Sequence, residues 1–228
     1  VEPRVIEGLR WPRDRERIRE IQEEVRKRLR IMPLKRPPSL IAGVDASFFD
    51  DRIACAASLF GFPSLEHLED SAVVTEAAFP YITGLLSFRE GPAVIKALKG
   101  LTKRPDLLIF DGQGIAHPKG LGIAAFMGAL LDMPSIGAAK TRLVGEYKEP
   151  GMMRGERSPL IYNGVEVGAV VRTRDNVRPL FISPGHLIDI EGSVRIVLAS
   201  ASRYRLTEPI RHADMLSKRM KREMQGKK

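Results

Sequence analysis

The sequence predicts an α/β domain built on one mixed β-sheet flanked by helices, and three observations carry that prediction. Three β-rich runs follow one another early in the chain, helix and strand patterns alternate after them, and the apolar run Leu107-Leu108-Ile109-Phe110 ends abruptly in Asp111. A short run that is apolar at every position suits a strand covered on both faces of its sheet. Asp111 then stands where that strand leaves the sheet, in the crevice beyond strand ends where α/β proteins place ligands. A carboxylate there needs water, a cation or a hydrogen-bond donor, because burying it unpaired is costly.

Trp11-Pro12 leads into a charged helix over residues 14–30, with Ile18, Ile21, Val25 and Leu29 along one narrow stripe. The pairs Glu23–Lys27 and Glu24–Arg28 have the favourable acid-before-base order. A proline-rich connector over residues 33–39 is too short to separate domains. Residues 40–48 and 52–60 are β-rich runs around Asp50-Asp51, the pattern of a hairpin, and residues 71–79 add a third strand to an antiparallel meander. Residues 90–101 read as a helix that Glu90 opens, with Pro92 tolerated in its first turn. Residues 122–131 are apolar on nearly every side and make a buried helix, and residues 135–139 a short strand. Asn163-Gly164, between two apolar runs, is the signature of a type I′ hairpin. Asp189 caps a helix that runs through residues 194–199, and Pro209 opens a last one. The expected organisation is one domain over 1–228: a helix and connector (1–39), a core with its C-terminal helix (40–217) and a basic tail that frays (218–228).

The 228 residues carry a net charge of +9, so a polyanion is a natural partner. The single cysteine, Cys55, lies in an apolar strand pattern and excludes an intramolecular disulfide or a cysteine-based zinc cluster. No apolar run approaches membrane-spanning length and no signal-peptide pattern opens the chain, so a cytoplasmic monomer without a membrane partner is expected.

The chemistry lies in the acids. Asp45 is in mid-strand, where alternation puts its side chain on one face with Gly43 and Ser47 while Val44 and Ala46 point the other way. Aspartate is poor strand chemistry, so something must compensate it. Glu90, at a helix start, is favoured locally by the macrodipole. In a βββαβ sheet the first strand is commonly central with the fourth as its parallel neighbour, so Asp45 and Asp111 can meet and the helix carrying Glu90 can close over them. Three hard oxygen donors without cysteine suit Mg²⁺, with Mn²⁺ able to substitute, better than zinc. Such ions assist in-line phosphoryl displacement. With the basic surface, this points to a metal-dependent phosphodiesterase acting on nucleic acid, with a ribonuclease H-like sheet and added N- and C-terminal helices.

Five segments in order resemble one family. They are residues 43–48 (GVDASF), 80–90 (PYITGLLSFRE), 111–122 (DGQGIAHPKGLG), 136–141 (IGAAKT) and 183–186 (SPGH), spread over most of 40–211. They are similar to endonuclease V, the nucleases that recognise deaminated purines. The resemblance implies cleavage of the second phosphodiester bond 3′ to inosine, leaving a 3′-hydroxyl and a 5′-phosphate. It implies that Asp45 and Asp111 bind the metal, that Glu90 completes the cluster, and that His117 and Lys140 lie near the scissile phosphate. It further implies a wedge, Pro80-Tyr81-Ile82-Thr83, that opens the duplex, and a base pocket lined by Gly84, Leu85, Gly112 and Gly122. Two features depart from the common pattern: family members often have proline where Thr83 stands, and the C-terminal position occupied by His in some members aligns with Asp214, a further candidate metal ligand.

Two other readings stay open on sequence alone. One is an inosine-directed endoribonuclease, since some relatives of this family prefer RNA; the other is a nucleic-acid-binding protein of the same fold without catalysis. The acids and Lys140 argue against the second, because a pure binder does not need clustered carboxylates facing phosphates.

Overall fold

The computed structural model describes residue 11 and residues 14–77 and 85–226. Its elements are α1 (Arg15–Arg28), β1 (Leu40–Phe49), β2 (Arg52–Gly61), β3 (His67–Glu76), α2 (Leu86–Lys99), β4 (Leu107–Phe110), α3 (Ile123–Leu131), β5 (Ser135–Ala139), β6 (Arg157–Tyr162), β7 (Val165–Val171), β8 (Leu180–His186), α4 (Ile190–Ser200) and α5 (Glu208–Gln225). All eight strands join one mixed sheet in the order β3-β2-β1-β4-β5-β8-β7-β6. The central pairs β1–β4 and β4–β5 are parallel, while the flanking pairs are antiparallel.

Both faces of the sheet are covered, as the unbroken apolar run of β4 requires. Leu108 and Phe110 join Val44, Ile53 and Cys55 in a core shared with α1, α2 and α3. Leu107 and Ile109 face the other way, into a core with Ile41, Ile136 and residues of α4 and α5. Every residue of α3 is buried, as its all-round apolarity predicts. The hairpin residues Asn163 and Gly164 have φ of 51° and 75°, the left-handed pair that a type I′ turn needs. Asp14 and Asp189 cap α1 and α4 through their carboxylates. Among the described residues no helix is long and apolar enough to cross a membrane.

The structure departs from the sequence expectations in four places. Helix α2 begins at Leu86, so Glu90 does not open it and Pro92 lies inside it rather than in its first turn. Proline there leaves the Phe88 carbonyl without its helical donor, and the indole N–H of Trp11 supplies one at 2.5 Å. Gly91 makes room for the indole, since a β-carbon at that position would collide with the Trp11 ring. Residues 218–225 are not a frayed tail but the continuation of α5, stitched by the i,i+4 pairs Asp214–Lys218 and Glu223–Arg219. Strand β8 went unread because Pro184 and Gly185 resemble a loop; the β5–β8 pairing shifts register beside Pro184, which accommodates a residue without an N–H. The third strand starts earlier than expected, at His67, and Ala78 and Phe79 lie outside the described residues.

The Trp11 bond can be isolated. Trp11→Phe keeps an aromatic ring against Phe88 and Phe126 but removes the donor, and the orphaned carbonyl should cost about 1–3 kcal/mol in urea unfolding. A loss below a few tenths of a kcal/mol would show that the α2 proline is tolerated without the indole.

Candidate active site

Period-two alternation delivers the first two acids to one place. Strands β1 and β4 are parallel with Val44 opposite Phe110, and the Asp111 N–H donates to the Val44 carbonyl at 3.3 Å, carrying the pairing one residue further. Asp111 therefore continues the Leu107–Ile109 face of β4, and Asp45 continues the Ile41–Gly43 face of β1. Both carboxylates emerge on the side covered by α5. That helix adds Asp214, and ligand oxygens of Asp45, Asp111 and Asp214 all lie within 4.8 Å of one another.

The cluster is compensated from two directions. The Ser217 hydroxyl, one turn beyond Asp214, donates to Asp45 Oδ2 at 2.7 Å and also lies 2.9 Å from the Ser47 hydroxyl. The Lys140 ammonium bridges Asp111 and Asp214, the latter at 3.2 Å, and Lys218 holds Asp214 at 2.7 Å. Lys140 follows β5 on the Ile136–Ala138 face, the same side as the acids. Arg205 fixes the turn by donating to the Lys140 and Pro179 carbonyls, both at 2.7 Å.

Glu90 approaches from the opposite side of the sheet, on α2, whose Phe88, Val94 and Ala97 belong to the other core. Its electrostatic neighbours are nonetheless Asp45 and Asp111. Burial, reinforced by these two carboxylates, pushes its carboxyl up to about 8. Burial also raises Asp45 to about 6; the Ser217 hydrogen bond opposes that rise, and Asp111 and Asp214 add to it. Asp214 behaves oppositely: the Lys218 and Lys140 ammonium groups outweigh its burial and hold it below the usual carboxylate range. The ion pairs with Asp111 and Asp214 raise Lys140 despite burial, so it is fully cationic at neutral pH.

Other residues expected from sequence lie nearby in the chain. His117 sits in the loop after Asp111, where its Nδ1 accepts the Lys119 N–H at 3.1 Å and burial lowers its pKa, keeping the imidazole neutral at pH 7. Gly112 and Gly122 serve the fold directly: a β-carbon on Gly112 would meet the Ile123 side chain, and one on Gly122 the Gln113 carbonyl. Leu85 is the residue preceding α2. Pro80, Tyr81, Ile82, Thr83 and Gly84 lie outside the described residues. Sequence reasoning missed Ser217 and Arg205. The signal for Ser217 was a polar residue on the stripe of α5 otherwise made of Ile210 and Ala213, whereas Arg205 follows no pattern that a local reading detects.

Carboxylates brought together where the parallel β1–β4 pairing ends, one in mid-strand and one just past a strand end, with another from a covering helix and a cation beside them, define the class: a nuclease on a ribonuclease H-like α/β sheet. Residues 23–215 match the family model described as Endonuclease V. An Endonuclease V of Geotalea uraniireducens is 47% identical over 98% of this chain and 93% of its own length, and one of Dictyoglomus turgidum 46% identical over 94% and 93%. The crystal structure of Endonuclease V from Streptomyces avermitilis superposes with a TM-score of 0.89 at 36% identity, covering 99% of this chain and 100% of the other. That from Bacillus subtilis gives 0.92 at 28%, covering 98% and 99%. The chain belongs to the endonuclease V family.

The raised acids fix a pH dependence for the chelator-treated protein. A carboxyl whose folded pKa exceeds its unfolded value favours the fold fully below the unfolded pKa and loses that contribution as pH rises through the folded one. For Glu90 the window runs from 4.5 to about 8, and for Asp45 from 3.8 to about 6. Asp214 is shifted downward and acts below this range. Stability in EDTA should therefore fall between pH 5 and 8, and Glu90→Gln should flatten the fall and stabilise the protein at pH 8 by an amount on the order of a few kcal/mol. Urea unfolding across that range checks it; superimposable wild-type and variant profiles would contradict the burial of a charged Glu90.

Proposed function

We propose that this chain is a divalent-cation-dependent repair endonuclease that recognises deoxyinosine in DNA and hydrolyses the second phosphodiester bond on its 3′ side, leaving a 3′-hydroxyl and a 5′-phosphate. The observation that supports this most is the convergence of the Asp45, Asp111 and Asp214 carboxylates beside Lys140. The substrate reading rests on family membership and the sequence of residues 80–90. A Ciona intestinalis Endonuclease V has been crystallised with a 24mer DNA containing an inosine followed by a ribo-adenosine, and the same lesion is proposed here.

The donor set fits the cation. Asp45, Asp111 and Asp214 offer oxygen only, the hard set that Mg²⁺ or Mn²⁺ takes; Glu90, electrostatically coupled to Asp45 and Asp111, is the further acid that the resemblance adds to them. Bound there, the ion supplies charge stabilisation to the attacking and leaving oxygens of an in-line displacement. The chain's own groups do the rest. Ser217 favours the ionised form of Asp45 against the rise that burial causes, and fixes the orientation of the carboxylate. Lys140, a compact charge on a turn pinned by Arg205, faces the incoming phosphate. His117 carries a neutral imidazole and can accept a hydrogen bond beside the scissile group. The resemblance assigns Pro80 to Thr83 the role of a wedge, and Gly84, Leu85, Gly112 and Gly122 that of the base pocket.

Cleavage of matched inosine-containing DNA and RNA strands with Mg²⁺, mapping the cut, is the direct test; an RNA-only product would move the activity to the inosine-directed endoribonuclease reading. Asp45→Ala and Asp111→Ala should reduce cleavage to background while the folded variants still bind the inosine strand. Comparable turnover by either would remove the acids from the chemistry.

Ser217→Ala should weaken Mg²⁺ affinity about 10–100-fold, because the outer partner of a ligand sets its charge and direction. The loss should show as a higher Mg²⁺ concentration for half-maximal rate with the saturated rate largely kept. A change in the saturated rate alone would assign Ser217 a different role.

Tyr81→Ala should cost stacking of roughly 1–3 kcal/mol, read as weaker discrimination between inosine and normal duplex. Single-stranded inosine substrate should suffer less than duplex. Equal losses on both would make Tyr81 a packing residue.

A further inference from the structure

A second group of ligating side chains lies apart from the acids and is chemically unlike them. His67 and Asp70 come from β3, the edge strand, and His212 from α5. One ring nitrogen of each histidine and a carboxylate oxygen of Asp70 lie within 4.8 Å of one another. His67 Nε2 is 2.9 Å from Asp70 Oδ1. The two imidazoles stack, with centroids 5.0 Å apart and planes inclined by 30°. Both meet the buried ring of Phe60 edge-on at 5.1 Å, so one aromatic floor restricts both rings while the outer side stays open to solvent.

This geometry is close to what a transition-metal ion needs. Zinc bonds of about 2.0–2.2 Å in a tetrahedron put ligand atoms roughly 3.3–3.6 Å apart. Side-chain rotation alone can close the gap from 4.8 Å, and His67 and Asp70 are already nearer than that. Two imidazole nitrogens and one carboxylate, with no thiolate, select Zn²⁺, Ni²⁺ or Cu²⁺ over the Mg²⁺ that the all-oxygen centre prefers. The side chains of His67 and Asp70 are 38% and 37% exposed, which leaves an ion room to enter and a fourth position for water. Asp70 and His212 also line a cavity of about 530 Å³ together with Asp214 and Lys218.

We propose that His67, Asp70 and His212 form a second metal site, of the zinc class, that cross-links the edge strand β3 to α5. An ion there joins two segments 142 to 145 residues apart in sequence and anchors the turn of α5 that carries Asp214. The site is separate from the catalytic acids in ligand type and in two of its three positions' parent element.

The experiment uses the full chain, stripped with chelator and dialysed against Zn²⁺ in excess Mg²⁺, with bound zinc counted by elemental analysis. The wild type should retain one equivalent, and so should an Asp45→Asn, Asp111→Asn double variant. His67→Ala and His212→Ala should lose it. Saturating zinc should raise the Tm of the wild type but not of His67→Ala, and Mg²⁺-supported cleavage by His67→Ala should persist as the control for folding. With Co²⁺ as the probe, the wild type should show visible absorption of imidazole coordination that both histidine variants lack. Zinc kept by the histidine variants and lost by the double aspartate variant would overturn the proposal in favour of binding at the acids. Failure of the wild type to retain zinc would reduce the cluster to an ion pair beside stacked rings.

Discussion

Asp45 and Asp111 stand side by side because β1 and β4 are parallel and in register, and holding two carboxylates there is the constraint to which the neighbouring structure responds. Two full charges within 4.8 Å of one another repel by about 3 kcal/mol or more at the effective dielectric of a partly buried site. The chain answers with a hydroxyl, a cation and a proton. Ser217 donates to Asp45, Lys140 spans Asp111 and Asp214, and Glu90 is driven to hold its proton to about pH 8. None of these responses neutralises the cluster fully. A site strained in this way gains from a divalent cation, which is the physical link between the fold and the proposed chemistry.

The parts of this arrangement that sequence revealed are those governed by short periods. Alternation alone put Asp45 with Gly43 and Ser47, and the structure has Gly43 against α5 and Ser47 beside Ser217 on that same face. The apolar run before Asp111 correctly marked a central, doubly covered strand, and the βββ-α-β order correctly implied the parallel β1–β4 pair. Even Lys140 could be placed at a strand end from the five residues before it.

What sequence hid depends on partners far away in the chain. Pro92 looked like a first-turn residue because an interior proline normally breaks a helix. Here Trp11, 77 residues away, supplies the missing donor, and no local pattern announces it. Moving the helix start to Leu86 also removes the macrodipole explanation for Glu90. Its acid then lacks that local benefit, and the carboxylates that raise its pKa beyond burial are the aspartates of the centre, Asp45 and Asp111. The basic stretch at the end was similarly misread: charge density suggested a tail, but acids spaced four residues from bases turned it into helix.

Helix α5 contributes a residue to each of the two clusters. With about 100° between successive residues, Ile210, Ala213 and Ser217 form its buried stripe, and Asp214 and His212 fall on opposite flanks of Ala213. One flank reaches the acids at the centre of the sheet, and the other reaches His67 and Asp70 at its edge. The height of the helix above β1 is set at Gly43, where a β-carbon would overlap the backbone of Pro209 and Ile210. Any larger residue there would lift the helix start and carry Asp214 and Ser217 away from Asp45. A missing side chain two residues before the first aspartate thus determines whether the last one can join it.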